Sequence, residues 1–206
     1  VWTEIRLRTV AGWIYVGNNS DVKTLRQMAG LVTPMALRVA VTLGLPDRLR
    51  GDRPAAADAT AADTVAHLAT ELGVDPTALE LLLGHLVTLG VLDRTTTGYR
   101  TTDFGANLCA DAGTGLHNLL HQDTAAGRAD LAFVDLAHSV RTGEPAYPLR
   151  YGQDFWTDLA ERPHLREAFD RQMTWRIRQR VPKFVDAVDW ARFKTIADVG
   201  GGPGDL

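Results

Sequence analysis

Residues 75–103 read DPTALELLLGHLVTLGVLDRTTTGYRTTD, and the two halves of this stretch follow different rules. In the first half leucines recur at positions 79, 82, 83, 86 and 89, the three-and-four spacing that lines one face of an α-helix. Asp75 stands where an N-cap belongs, Pro76 takes the first helical position, and Gly90 closes the segment. From Val91 to Asp103 the residues alternate about a Thr-Thr-Gly turn, which predicts a two-stranded ribbon. Three helical segments followed by such a ribbon predict a winged helix-turn-helix.

Upstream, TPMALRVAVTLGLPDRL (33–49) sets Met35, Val39, Leu43 and Leu45 on a helical stripe that Gly44 and Pro46 end or kink. RGDRPAAADATAAD (50–63) reads as a loop, and TVAHLATELG (64–73) as a short helix closed by Gly73. Downstream, helices are expected over about 103–111, 115–125 and 128–141, the last ending at Gly143. EPAYPLRYG (144–152) reads as a loop. A long helix begins near Pro163, with Leu165, Phe169, Met173, Ile177, Val181, Phe184, Val185 and Val188 in register and a kink at Pro182. Lys194–Val199 reads as a strand. The first twenty residues share no period with the rest, and 1–23 form an unassigned N-terminal extension.

The composition narrows the function classes. A chain of 206 residues that is 45% hydrophobic and 23% charged has enough apolar material for a sizeable core. A net charge of −3 and an isoelectric point near 6.1 argue against a nucleic-acid binder. The helix of the wing module agrees, because 75–90 contains neither Lys nor Arg and Glu80 would repel phosphate. Cys109 is the only cysteine, so neither an intramolecular disulfide nor a thiolate metal cage is possible, which suits the cytoplasm. No apolar stretch near the start is long enough to span a bilayer, and no membrane association is expected.

Two stretches invite a chemical reading. His117 and His121 lie four apart, on one helix face, with Asp123 nearby. The position where a zinc protease needs Glu is Asn118, so a solvated or capping pair explains the stretch and no metal is assigned. The second stretch is TIADVGGGPGDL (195–206), in which an acidic strand end leads into Gly200, Gly202 and Gly204. A dinucleotide fingerprint would want glycine at 205, which is Asp205. S-adenosylmethionine fits better. It has no phosphates to neutralise, needs the close backbone approach that glycine permits, and carries an ammonium group that favours oxygen ligands. Taken alone, the turn also admits the lesser reading of a glycine-rich hairpin or linker.

The blocks TPMALRVAVTLGLPDRL, HLVTLGVL, RADLAFVDLAHSVRTGEPAYPLRYGQDFWTDL, LREAFD and DVGGGPG occur in this order. Over roughly residues 24–206 they make the chain resemble bacterial small-molecule O-methyltransferases that use S-adenosylmethionine, in particular those tailoring aromatic polyketides such as anthracyclines and naphthoates. The resemblance implies a mainly α chain. A winged-helix-containing helical dimerisation domain would occupy 24–150 and connecting helices 151–193. The first strand of a Rossmann-like methyltransferase domain would begin in 194–206, so that the chain reads as an N-terminal fragment. It implies a homodimer and a small aromatic substrate. It also implies that Arg166 reaches the carboxylate of the cofactor through a bidentate pair, that Gly200, Gly201 and Gly202 approach it, and that Asp198 holds its ammonium end. Phe155, Trp156 and Met173 would lie beside cofactor and substrate. The family's acid–base histidine falls on a later helix, so no catalytic residue is assigned in this chain and residues 1–206 alone are not expected to turn over. Within the family some members hydroxylate or decarboxylate instead, which is the runner-up. A winged-helix DNA-binding regulator is the remaining alternative.

Overall fold

A computed structural model describes residues 20–51, 61–197 and 199. Residues 1–19 of the expected extension 1–23, most of the predicted loop 50–63, Asp198 and the glycine turn from 200 onward lie outside the described residues. The chain divides into two compact units, the first ending at Ala106 and the second beginning at Asn107.

The first unit contains α1 (Ser20–Ala29), α2 (Val32–Thr42), α3 (Leu45–Arg48), α4 (Ala61–Leu72), α5 (Pro76–Thr88), β1 (Leu92–Thr95) and β2 (Gly98–Thr101). Helix α5 starts as its sequence demands: the Asp75 carboxylate accepts the Ala78 amide at 2.8 Å, and Pro76 enters the first turn, where no amide donor is required. Leu79, Leu83 and Leu86 on its inner face are 3%, 0% and 0% exposed, and they pack against α2 and α4. From α2 the core takes Ala36, Ala40 and Val41. The predicted Met35, Val39 and Leu43 stripe is instead half-buried and walls a groove. Gly44, at φ 65, makes the break before Pro46 that the sequence anticipated.

The ribbon forms as predicted. β1 and β2 pair antiparallel, with Leu92 opposite Thr101 and Thr95 opposite Gly98. Side-chain bonds anchor it: Thr64 donates to the Thr97 carbonyl at 2.8 Å and Thr101 to that of Pro46 at 2.8 Å. Glu80 of α5 accepts from both Arg94 of β1 and the Tyr99 hydroxyl of β2, each at 2.6 Å. Burial and the Glu80 carboxylate push the Tyr99 phenol up to about 12, so it stays a proton donor across the physiological range. Gly105 follows, with its Cα so close to the ribbon that an added Cβ would lie 2.0 Å from the Val91 carbonyl oxygen.

The second unit is built from short helices around one long one. These are α6 (Leu116–Leu120), α7 (Ala125–Leu131), α8 (Leu136–Thr142), α9 (Tyr147–Tyr151), α10 (Phe155–Glu161), α11 (Pro163–Arg178) and α12 (Val181–Ala187). A 3₁₀ turn, Ala132–Asp135, interrupts the helix expected over 128–141, and the segment near 103–111 is a 3₁₀ turn over Gly105–Leu108 rather than an α-helix. The loop expected at 144–152 contains α9, closed by Gly152 at φ 79. Helix α11 packs on α6, α7 and α10, over a core of Ala125, Leu159 and Leu165 flanked by Phe155 and Phe169. Between α6 and α7 the Thr124 hydroxyl accepts the Gly127 amide and donates to the carbonyls of Asn118 and His121. The approach there is so close that a Cβ at Gly127 would stand 1.9 Å from the His121 carbonyl oxygen.

Two expectations about the C-terminal side change. The helix predicted from Pro163 through Val188 is two helices, parted at Gln179 and Arg180. Pro182 has no amide hydrogen with which to continue the ladder back to Arg178, so the chain restarts with proline in a first turn. Residues 194–197 form no strand. A strand exists through its neighbours' hydrogen bonds, and among the described residues the one strand pairing is that of β1 with β2.

The glycines give a paired stability test. Gly105→Ala is expected to cost about 1–3 kcal/mol through the clash with Val91. Gly84→Ala, in mid-helix with open space around its Cβ, should gain about 0.5–1 kcal/mol. Urea denaturation of the two variants checks both signs.

Candidate functional site

The residues implicated on α10 and α11 are positioned by a buried carboxylate. Asp154 caps α10, its side chain accepting the amides of Trp156 at 2.9 Å and Thr157 at 3.1 Å. This fixes where Phe155 and Trp156 leave the backbone. One turn later Asp158 is fully buried, at 0% exposure. Around it stand the Tyr147 hydroxyl at 2.5 Å, Gln153 Nε2 at 3.0 Å, Arg128 at 2.9 Å, and Arg162. Burial alone would raise the Asp158 carboxyl, but the Tyr147 hydroxyl, the Arg128 and Arg162 guanidiniums and the Gln153 amide hold it below its ordinary range. The same burial, reinforced by the bond to Asp158, pushes the Tyr147 phenol up to about 12. Arg128 also lies 3.8 Å over the Tyr151 ring.

An aromatic cluster rises from this base. Tyr147 meets Phe155 edge-on at 5.4 Å, Phe155 meets Phe169 at 5.9 Å, and Trp156 meets Phe169 at 5.6 Å. Phe155 packs against the core and is half-buried, whereas Trp156 is 64% exposed. The two therefore divide the work: Phe155 supports and Trp156 presents a face. Met173 is half-buried one turn beyond Phe169 on the same side of α11. Arg166 lies on that side too, exposed, with its Nε 3.1 Å from both carboxylate oxygens of Asp170. The structure thus brings Phe155 and Trp156 together with Phe169, and the helix spacing adds Arg166 and Met173. Asp198, Gly200, Gly201 and Gly202 fall outside the described residues.

The sequence reading did not single out Asp158, Arg128, Tyr147 or Asp170. The i,i+4 spacings of Asp158 to Arg162 and of Arg166 to Asp170 were legible. The reach of Arg128 and Tyr147 to Asp158, across 30 and 11 residues, has no local signature.

A second feature lies in the first unit. A groove of about 890 Å³ between α2 and α5 is lined mainly by apolar residues, among them Val32, Met35, Val39, Leu81 and Leu82. Within this lining the His85 Nε2 is buried and has no hydrogen-bond partner. Nearby in sequence, α1 turns Val22, Leu25 and Met28 outward at 55%, 64% and 78% exposure. No helix among the described residues is long and apolar enough to cross a membrane.

Residues 25–111 match the O-methyltransferase dimerisation domain family, and residues 133–206 match the O-methyltransferase domain family. The chain is 43% identical over 183 residues to 2,7-dihydroxy-5-methyl-1-naphthoate 7-O-methyltransferase of Streptomyces carzinostaticus, covering 88% of this chain and 52% of that protein. It is 38% identical to aclacinomycin 10-hydroxylase of Streptomyces purpurascens, covering 88% and 47%. Among solved structures it is similar to an O-methyltransferase from neocarzinostatin biosynthesis, in complex with S-adenosylmethionine and 2-hydroxy-5-methyl naphthoic acid. That likeness has a TM-score of 0.74 at 41% identity, over 88% of this chain and 53% of that one. The chain spans about half the length of these relatives.

The Asp158 cluster carries a testable pH dependence. Asp158→Asn leaves Arg128, only 13% exposed at its side chain, without its buried counter-charge and with only the exposed Asp123 carboxylate at 3.6 Å, and should cost about 3–5 kcal/mol at neutral pH. The folded carboxyl titrates below its unfolded value of 3.8. Its contribution is therefore complete above that value and lost as pH falls through the folded one. The stability gap between wild type and variant should narrow below about pH 4, as read by denaturant titrations across pH.

Proposed function

This chain belongs to the O-methyltransferase family, and from that premise we propose that its protein transfers a methyl group from S-adenosylmethionine to a hydroxyl of a small aromatic, polyketide-like metabolite. The observation that carries the reading is the joint presentation of a guanidinium and an aromatic face on one side of α11. Arg166 stands free enough to exchange Asp170 for a ligand carboxylate, and Trp156 offers an exposed ring beside Phe169. These side chains fit the cofactor's chemistry: Arg166 would pair with its carboxylate, while Asp198 and Gly200, Gly201 and Gly202 would approach its amino-acid end. When bound, S-adenosylmethionine supplies an electrophilic methyl group on a sulfonium, which an aromatic oxygen takes by in-line displacement. The chain's own part is alignment and water exclusion. Phe155, Trp156 and Met173 would hold the aromatic substrate flat and dry, so that its oxygen lies on the line of attack.

The similarity to a naphthoate O-methyltransferase of Streptomyces carzinostaticus, and to a neocarzinostatin-pathway structure holding S-adenosylmethionine and a naphthoic acid, supports this substrate class. The likeness to aclacinomycin 10-hydroxylase keeps hydroxylation as the second reading; product mass tells the two apart. A DNA-binding role is disfavoured, because Arg94 on the wing is already tied to Glu80.

The first unit would be the winged-helix part of a dimerisation domain over 24–150, leading through connecting helices 151–193 into a Rossmann-like domain from 194. Its groove between α2 and α5, the outward stripe of α1 and the unpartnered His85 nitrogen all favour burial against a second copy, giving a cytoplasmic homodimer.

Two measurements test these readings. Arg166→Ala should weaken S-adenosylhomocysteine binding by roughly 10–100-fold, the worth of a charge-assisted bidentate pair, by calorimetry on the protein carrying this chain; unchanged affinity sinks the assignment. Leu25→Asp with Met28→Asp should shift sedimentation toward the monomer, whereas an unaltered dimer would place the interface elsewhere.

A further inference from the structure

Helix α6 is held by ties at its two ends and its middle rather than by burial, since none of its residues is fully buried. Ahead of its first turn, Trp175 of α11 donates its ring N–H to the Gly113 carbonyl at 2.7 Å. The same ring lies so close to Gly115 that an added Cβ would stand 2.9 Å from it. In the middle, Asn118 Nδ2 donates to the Ala168 carbonyl at 2.9 Å and to Gln172 Oε1 at 3.0 Å. The far end is held by the turn 121–124, which seats α6 on α7. A short element with few buried contacts opens at low free-energy cost once one tie is lost.

That turn is closed by a group that loses its acceptor on protonation. The His121 carbonyl takes the Thr124 amide at 3.3 Å and the Thr124 hydroxyl at 2.9 Å. The His121 ring takes the Asp123 amide on Nδ1 at 3.2 Å. A backbone amide only donates, so Nδ1 keeps its lone pair and the neutral ring carries its proton on Nε2. An imidazolium has a proton on both nitrogens. It would set one N–H against another and leave the turn without that bond.

The surroundings push the same way. His117, one turn back on α6, has its ring centroid 5.5 Å from that of His121, so a charge on one ring opposes a charge on the other. The Asp123 carboxylate would favour an imidazolium, but Arg128 of α7 at 3.6 Å and His164 of α11 at 3.4 Å already flank it. Arg171 of α11, in the same cavity lining, is paired with Glu167 at 3.9 Å. Burial first and His117 second lower the His121 pKa, with Asp123 opposing.

We propose that His121 is an acid-sensitive latch on α6. The neutral ring locks the turn onto α7, and protonation releases the end of the helix and opens the cavity of about 360 Å³ that α6 and α11 line. The closed turn binds the ring proton less well than an open one does. Closure is therefore fully favoured above the ordinary histidine value of 6.5 and weakens as pH falls from there through the lowered folded value. One proton is exchanged, so the opening constant rises by at most about tenfold per pH unit. Arg166, Trp156 and Met173 take no part in the latch, which stands whether or not the methyl-transfer reading does.

Hydrogen exchange on the protein carrying this chain, read by mass spectrometry and corrected for intrinsic exchange rates, measures the opening. From about pH 7.5 to 5.5, peptides covering α6 should lose protection several-fold while those covering α11 keep theirs. His121→Asn retains an acceptor for the amide two residues on but cannot titrate, so its α6 protection should stay constant over that range. His164→Gln should leave the wild-type dependence in place. Constant α6 protection in the wild type, an unchanged dependence in His121→Asn, its disappearance in His164→Gln, or simultaneous loss of protection across α11 would overturn the proposal. The ring nitrogens give a reading that needs no variant: by NMR, Nδ1 should be bare at neutral pH and the ring should titrate below 6.5. A proton on Nδ1, or titration at or above that value, would sink the latch as well.

Discussion

Most of the second unit depends on one carboxylate that water does not reach. Asp158 sits at 0% exposure between two guanidiniums, a phenol and a primary amide. A bare ion in that place would cost several kcal/mol of desolvation, which only good geometry offsets. The compensation comes from four separate segments: Arg128 from α7, Tyr147 from α9, Gln153 from the turn before α10, and Arg162 from the start of α11. Each must stand where it does for the ion to be tolerated, so the cluster specifies their mutual arrangement more sharply than apolar packing would.

The chemistry-bearing residues inherit their positions from this arrangement. Phe155 and Trp156 leave α10 one turn before Asp158, held by the Asp154 cap. Phe169 reaches them from α11, whose first turn is tied down by Arg162. The side of α11 that carries Arg166, Phe169 and Met173 and the side that carries Gln172 and Trp175 are then set by one rigid rod. What one side presents fixes what the other can.

How much of this was legible follows from range along the chain. The α5 helix and the ribbon were readable because leucine spacing, an Asp–Pro start and a Thr-Thr-Gly turn are local signals. The break between α11 and α12 was misread as a kink, since the apolar period runs straight across it while the missing amide of Pro182 acts locally. The stripe of Met35, Val39 and Leu43 was visible as a stripe, but periodicity does not say whether a face meets its own core or a groove. Among site residues, Phe155, Trp156 and Met173 came from a resemblance rather than from spacing, and the structure places Trp156 outward and Phe155 against the core. Asp158 was hidden because its partners are distant in sequence.

The contact between Gly127 and the His121 carbonyl has a consequence for reading other chains of this kind. No side chain fits where an added carbon would stand 1.9 Å from an oxygen, so that position has no alternative residue as long as α6 and α7 keep their turn. Exposed positions elsewhere in the second unit, such as Arg150, are under no such restriction. As sequences drift apart, Gly127 should behave as a fixed point of the alignment, a landmark from which the register of both His121 and Arg128 can be counted when overall identity no longer guides it.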